Sequence, residues 1–149
     1  MEIEEVEEFL CSAISYCELV ENYRDHTDNN NLNQLLISVS SLYAEAMSLP
    51  EVEPKNDEVS DLNFDLPDVN LEKNETYWVV FDPYILEEPV RGSLTDDLID
   101  IYKDLKEGVL LYQRGEHLEA IWHWKFNFEI HWGRHALNAM RALHSINFS

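Results

Sequence analysis

The segment from Ile121 to His135 constrains the fold of this chain more than any other part of its sequence. It holds five aromatic residues, including three of the four tryptophans, and three of the six histidines. On a helical wheel of about 100° per residue, the apolar side chains of residues 116–146 fall on one broad arc. An arc of this width is too large for one partner helix, so this helix should lie at the centre of a bundle. The arc contains Leu118, Ile121, Phe126, Phe128, Trp132, Ala136, Ala139, Met140, Leu143 and Ile146, with Trp124 at its edge.

Three other segments carry the same helical spacing. Apolar residues recur at intervals of three and four over residues 3–24, 32–49 and 93–115, which is the period of an amphipathic helix. The first two segments predict an antiparallel helix hairpin, and Ser93 with Asp96 has the form of a capping box at the start of the third. We therefore predict an all-α fold, a compact helical bundle of about four main helices.

The region between the second helix and the C-terminal half differs in composition. Residues 50–75 hold nine acidic residues and two lysines, which predicts a mobile acidic loop. A chain of 149 residues suits a single domain. It would consist of an N-terminal helix hairpin (3–49), the acidic loop (50–75) and the C-terminal helices (76–146). Within the last part, Tyr77–Phe81 is predicted to form a helical turn that docks on the bundle.

The charge of the chain excludes several classes of partner. The formal net charge is −20, from 30 acidic and 10 basic residues. Proteins bind nucleic-acid phosphates and anionic membranes mainly through lysine and arginine, so direct binding to either is disfavoured. The charge is compatible with a basic protein partner such as a nuclease, or with mimicry of a nucleic acid.

Several features favour a cytoplasmic location. The acidic N-terminus does not have the form of a secretory signal, and no apolar run approaches the ~20 residues that cross a bilayer. Cys11 and Cys17 are six residues apart, so on one helix their side chains point in different directions. They are poorly placed for a disulfide, which fits a reducing compartment.

Charged groups interrupt the apolar arc of the last helix at Lys125, Glu129 and His135. Such groups are costly to bury without partners. Lys125 and Glu129 are four residues apart and can pair on their own helix, while Asp97 and Asp104 flank the apolar arc of the preceding helix. An internal polar network that fixes helix register is the simplest interpretation, and a binding pocket is the functional alternative. The predicted cluster consists of Asp97, Asp104, Lys125, Glu129, His135 and Trp132.

Two spacings in the same region are compatible with a divalent metal ion. Residues 96–100 spell DDxxD, a pattern that holds Mg²⁺ in terpene synthases, although acids in a first helical turn are also explained by the helix dipole. His131 and His135 have the spacing at which a helix presents two zinc ligands, but the wheel places His131 on the polar side. A metal-dependent hydrolase of phosphohydrolase type would take its ligands from Asp97, Asp100, Asp104, Glu129, His131 and His135.

The third and fourth predicted helices resemble a known family. Residues 92–108 read GSLTDDLIDIYKDLKEG, residues 122–126 read WHWKF, residues 131–135 read HWGRH and residues 141–144 read RALH. These segments are similar to the bacterial domains of unknown function named DUF5063, over roughly residues 77–146. The resemblance implies a bacterial, cytoplasmic, all-helical domain, and it implies no catalytic residues.

The chain is strongly acidic, and its sequence contains no complete catalytic motif. Our leading hypothesis is therefore a non-enzymatic protein-interaction or regulatory domain that needs no cofactor. The metal-dependent hydrolase, which would need a divalent metal ion, and the nucleic-acid mimic that blocks a basic nuclease or DNA-binding protein are the alternatives.

Overall fold

Four main helices form a bundle in the computed structural model, which describes residues 3–23, 29–55 and 62–148. Helix α1 spans Ile3–Glu21, α2 spans Asn29–Ala46 and α3 spans Leu94–Gln113. The fourth helix consists of α4 (His117–Asn127), a π-helical turn (Phe128–Trp132) and α5 (Gly133–Phe148). The predicted all-α bundle is confirmed, although α1 and α2 end about three residues earlier than predicted. No helix in these described ranges is long and apolar enough to cross a membrane.

The four main helices pack in a ring, so the C-terminal helix has two main neighbours like each of the others, and its predicted central position is wrong. α4 packs on α3, α5 packs on α2 and α3, and α1 packs on α2 and α3. Trp124 and Trp132 are fully buried, and the ring of Phe9 lies 5.0 and 6.0 Å from theirs. Trp124 donates its indole N–H to the carbonyl of Leu105 (3.1 Å), and Trp132 donates to the carbonyl of Trp124 (3.0 Å). These tryptophans therefore anchor the core with their polar groups satisfied.

The π-helical turn realigns the side chains of the C-terminal helix. The amide of Gly133 donates to the carbonyl of Phe128, five residues back, and a β-carbon on Gly133 would lie 2.3 Å from that oxygen. The turn therefore requires glycine. Twelve residues of regular helix would rotate His135 by about 120° from His123, and the extra residue of the π turn reverses most of that rotation. His131 lies within this turn and contacts Asp104 on α3, so its predicted placement on the polar side is wrong.

A small β-hairpin replaces the helical turn predicted at Tyr77–Phe81, so that prediction is wrong. Strand β1 (Thr76–Val79) pairs antiparallel with β2 (Val90–Ser93). Exposure alternates along β1, with Tyr77 half-buried and Trp78 exposed, which is the period of a strand and not of a helix. Aromatic and β-branched residues such as these favour strands.

The hairpin leads directly into α3, and the junction has the predicted cap. The side chain of Ser93 accepts a hydrogen bond from the amide of Asp96 at 3.1 Å. This satisfies one of the amides that the first turn of a helix leaves free. The second strand and the third helix are therefore joined without an intervening loop.

Part of the predicted acidic loop packs on the bundle. Val69 and Leu71 are buried, and the ring of Phe64 lies 6.1 Å from that of Tyr102 on α3. A short 3₁₀ turn at Glu72–Asn74 then leads into β1. The description of the whole stretch 50–75 as a mobile acidic loop is therefore too broad, because residues of its second half contribute to the core. Residues 56–61 of that prediction lie outside the described part of the chain.

Gly108 allows α3 and α4 to approach closely, and we expect Gly108→Ala to destabilise the fold. A β-carbon there would lie 2.0 Å from Nε1 of buried Trp124. Alanine in place of a helical glycine ordinarily stabilises by about 1 kcal/mol, whereas the displaced indole should cost about 2–3 kcal/mol, the upper part of the range for overpacking. Chemical denaturation measures the difference. Asn33→Ala at an exposed position of α2 is the control, and an unchanged or raised midpoint for Gly108→Ala would contradict the close packing.

Trp132 should contribute far more to stability than Trp122. Trp132 is fully buried, while Trp122 is 37% exposed and stacks on Phe126 at the surface. We expect Trp132→Ala to lower the free energy of unfolding by about 3–5 kcal/mol, and Trp122→Ala to lower it by clearly less. Urea denaturation of both variants measures the two losses in free energy of unfolding. Equal losses would contradict the different burial of the two rings.

Candidate functional site

One face of α3 carries acidic side chains at intervals of three and four residues. Asp97, Asp100, Asp104 and Glu107 lie along one side of the helix because of this spacing. Asp97 and Asp104 are buried, with 4% and 9% of their surface exposed. Buried carboxylates need hydrogen-bond donors or cations, so this face requires partners from neighbouring elements.

Histidines of the C-terminal helix are the main partners. Nδ1 of His135 lies 2.7 Å from Oδ1 of Asp97, and its Nε2 lies 3.1 Å from Oδ2 of Asp100. Nδ1 of His131 lies 2.6 Å from Oδ2 of Asp104. The two imidazole rings meet edge to face, with their centroids 4.8 Å apart. The two helices are antiparallel, and each histidine ring lies against a buried aspartate.

A third histidine extends the same pattern by about one turn of α3. Nε2 of His123 lies 3.0 Å from Oε2 of Glu107. Nδ2 of Asn127 lies 3.3 Å from Nδ1 of His123 and also donates to the His123 carbonyl at 2.9 Å. We call the following set the carboxylate–histidine row: Asp97, Asp100, Asp104, Glu107, His123, His131 and His135.

The hairpin completes the surroundings of Asp97. The hydroxyl of Tyr77 donates to Oδ2 of Asp97, so both carboxylate oxygens have a partner. Burial and the neighbouring Asp97 carboxylate raise the pKa of Tyr77 far above its usual value, so the hydroxyl stays protonated and remains a donor. The guanidinium of Arg134 lies 4.4 Å from the centre of the Phe81 ring. The hairpin therefore contacts both α3 and α5 at this site.

The row is electrostatically coupled. The hydrogen bond with Asp97 raises the pKa of His135; burial opposes this shift, and the charges of Asp97, Asp100 and Asp104 add to it. Burial raises the pKa of Asp97 and of Asp104, while the hydrogen bonds from His135 and His131 lower them in part. The protonation state of each group in the row therefore depends on its hydrogen-bond partners.

The structure brings together only part of the predicted cluster. Asp97 and His135 are in direct contact, whereas Asp104 contacts His131 instead. Trp132 is buried in the core, and its N–H is used by a backbone carbonyl, so it is not part of the row.

Lys125 and Glu129 lie away from the row. Nζ of Lys125 is 3.5 Å from the carbonyl of Ala46 at the end of α2. Glu129 lies within the π turn and is exposed, and it forms no ion pair with Lys125 in the described structure. The predicted pairing of these two residues is therefore wrong.

Three residues of the site do not appear in the sequence prediction. Glu107 continues the spacing of the α3 aspartates by one more step, so periodicity could have identified it. His123 faces the row only because α4 is oriented with that side toward α3. Tyr77 lies 20 residues before Asp97 on another element, and no local pattern in the sequence indicates that contact.

Two groups in the row have the chemistry of metal ligands. Within the described residues, ligand atoms of Asp100, His131 and His135 lie within 4.8 Å of one another, and so do those of Asp104, Glu107 and His123. Imidazole with carboxylate is a ligand set that suits zinc and related transition metals.

The hairpin also exposes an unusual amount of apolar surface. Tyr84 and Leu86 are 97% and 103% exposed, and the other members are at least 42% exposed. Trp78 lies on the face of β1 opposite Tyr77. The apolar hairpin surface consists of Trp78, Val80, Phe81, Tyr84, Ile85, Leu86 and Val90.

Comparisons with other proteins agree with the sequence resemblance and extend it. The model of the family described as a domain of unknown function (DUF5063) matches residues 2–149, well beyond the segments that first indicated it. The crystal structure of protein BF1032 from Bacteroides fragilis is similar, with a TM-score of 0.77 and 24% identity over 97% of this chain and 96% of that chain. At this identity the likeness concerns the fold alone. A comparison with curated proteins gave no match.

The raised pKa of His135 should make stability depend on pH. A histidine whose pKa is higher in the folded state stabilises the fold fully below about 6.5, its value in the unfolded chain, and loses this contribution as pH rises through the folded pKa. The stability difference between the parent and His135→Gln should therefore shrink as pH rises. Denaturation in the presence of a chelator measures it, with His144→Gln at an exposed position of α5 as the control. A difference independent of pH would contradict the coupling.

Proposed function

The chain belongs to the DUF5063 family, and we propose that it is a protein-interaction domain whose apolar hairpin surface binds an extended, basic segment of a partner protein. The observation that carries this proposal is the exposure of seven large apolar side chains within residues 78–90. Single exposed apolar residues are ordinary. A concentration of them on one element is typical of an interaction surface.

The hairpin favours an extended partner because its backbone is available at the edges. The described residues form a sheet of two strands only, so each strand has one edge without a strand partner. Unpaired strand edges offer amide and carbonyl groups to an added strand. An extended segment can use these groups while its alternate side chains contact the apolar hairpin surface.

Charge complementarity favours a basic partner. Glu75, Asp82, Glu87 and Glu88 lie beside or within the hairpin, and the whole chain carries a net charge of −20. A second copy of the chain would bring like charges together, whereas a basic segment would meet opposite charge. A nuclease is one class of basic protein that fits this description.

The apolar hairpin surface and the carboxylate–histidine row also bear on the two alternative functions. A nucleic-acid mimic presents acidic groups to a basic groove and needs no apolar anchors, so the apolar hairpin surface favours an interaction domain. A metal-dependent hydrolase is the second candidate, because the row contains all of its six predicted ligands except Glu129. That exposed residue lies outside the row.

Selection of displayed random dodecapeptides on the parent protein tests the proposed function. We expect the selected peptides to be rich in Lys and Arg alternating with aromatic or β-branched residues. Their affinity should fall at least about tenfold when the anchors Trp78 and Leu86 are both replaced by serine. Ile37→Ser, at an exposed apolar position of α2, is the matched control and should keep full affinity. Failure to select any peptide, selection of acidic peptides, or equal binding by the double variant would reject the proposal.

A further inference from the structure

We infer that Asp100, His131 and His135 form a binding site for one divalent transition-metal ion, with Zn²⁺ as the best-matched ion. This site is separate from the apolar hairpin surface and does not depend on the proposed interaction. Two histidines four residues apart on one helix and a carboxylate from α3 bring their ligand atoms within 4.8 Å. The observations that point to a ligand are the hydrogen bonds on the far side of each imidazole ring.

Both histidines present Nδ1 to a buried carboxylate, which is the arrangement that metal-binding histidines use. Nδ1 of His131 faces Oδ2 of Asp104 at 2.6 Å, and Nδ1 of His135 faces Oδ1 of Asp97 at 2.7 Å. An ionised carboxylate can only accept a hydrogen bond, so each Nδ1 carries a hydrogen, and whenever the ring is neutral its lone pair is on Nε2. Histidine ligands of metals ordinarily donate their second ring N–H to a carboxylate in this way.

The second nitrogen of His135 already faces another acceptor. Its Nε2 lies 3.1 Å from Oδ2 of Asp100, and two groups with lone pairs approach this closely only when a cation lies between them. A proton or a metal ion satisfies that requirement. In a tetrahedral zinc site with bonds of about 2.0 Å, neighbouring ligand atoms are about 3.3 Å apart. The observed separation is therefore close to that of two ligands of one zinc ion.

The hairpin holds the supporting shell in place. Asp97 receives hydrogen bonds on both oxygens, one from His135 and one from Tyr77. It therefore acts as a positioning residue for the His135 ring and is not itself a ligand. Asp104 has the same role for His131. Asp97 and Asp104 are both buried, so their orientation is fixed by packing.

The second group of possible ligands fails the same test. The amide nitrogen of Asn127 lies 3.3 Å from Nδ1 of His123 and also donates to the His123 carbonyl, which fixes the end of the amide that faces the ring. Nδ1 of His123 is therefore an acceptor, and in the neutral ring Nε2 carries the hydrogen; this nitrogen lies 3.0 Å from Oε2 of Glu107 but without hydrogen-bond geometry. His123 has no lone pair to give to a metal, and the inference excludes this group.

The ligand set determines which ions should bind. Two imidazoles and one carboxylate suit Zn²⁺, Co²⁺ and Fe²⁺, whereas Mg²⁺ and Ca²⁺ prefer oxygen ligands alone. The side chains of His131, His135 and Asp100 are 43%, 25% and 33% exposed. Water therefore reaches the site and can complete the coordination shell. The excess of acidic groups on the chain also concentrates cations near it.

Titration of the metal-free protein with Zn²⁺ and with Co²⁺ tests the inference. We expect one ion per chain, an affinity that excess Mg²⁺ does not change, and a Co²⁺ absorption spectrum typical of nitrogen and oxygen ligands. His135→Ala should lower the affinity at least about a hundredfold, because it removes a ligand. Asp97→Asn should lower it by about 10–100-fold, because it removes only the support of that ligand.

Further variants distinguish the loss of a metal ligand from the loss of the fold or of the apolar hairpin surface. His123→Gln should keep the parent affinity, since it removes a histidine of the row that is not a ligand. His131→Gln, at a half-exposed position, is the second ligand variant if His135→Ala does not fold, and circular dichroism establishes folding. The double serine variant of Trp78 and Leu86 should bind metal normally, which separates this test from that of the proposed function. The inference is overturned if the parent binds no Zn²⁺ at micromolar concentrations, or if His123→Gln weakens binding as much as the ligand variants.

Discussion

The burial of two aspartates on α3 is the constraint on which the rest of the structure depends. Asp97 and Asp104 cannot remain ionised inside the bundle without donors, and the donors come from His135 and His131 on the antiparallel C-terminal helix. A regular helix would not present His123 and His135 on the same side. The π turn corrects this, and Gly133 makes the turn possible. The π turn therefore helps to bring the histidines of the C-terminal helix against the buried aspartates of α3.

The helical part of the fold could be predicted because its information is local. The spacing of apolar residues identifies each main helix, whereas the width of one arc overstates the number of helices that pack on the C-terminal helix. The hairpin could not be predicted with the same rules. Tyr77 is held by a contact to Asp97 on a later element, and four-residue strands give little periodicity. The burial of Leu71 within an acidic stretch is hidden in the same way, because composition averages over residues that pack and residues that do not.

The candidate site was only partly predictable for a related reason. A uniform helical wheel assumes a constant rotation per residue, so it cannot include the π turn. Glu129 lies within that turn and is exposed, and Lys125 reaches a carbonyl at the end of α2. The sequence predicts Asp97, Asp104 and His135 in one cluster, but it does not predict which aspartate contacts which histidine. The tautomers that distinguish His131 from His123 depend on three-dimensional hydrogen bonds, which no spacing in the sequence reveals.

The row leaves the Nε2 lone pairs of His131 and His135 available to a cation, whereas His123 has none to offer. Two-bond ¹H–¹⁵N correlation spectra of the histidine rings measure this directly. At alkaline pH without metal, the account predicts a protonated Nδ1 and an unprotonated Nε2 for His131 and His135, and a protonated Nε2 for His123. Added Zn²⁺ should shift the Nε2 resonances of the first two rings only. Protonated Nε2 atoms on His131 and His135, or a Zn²⁺ shift at His123, would contradict it.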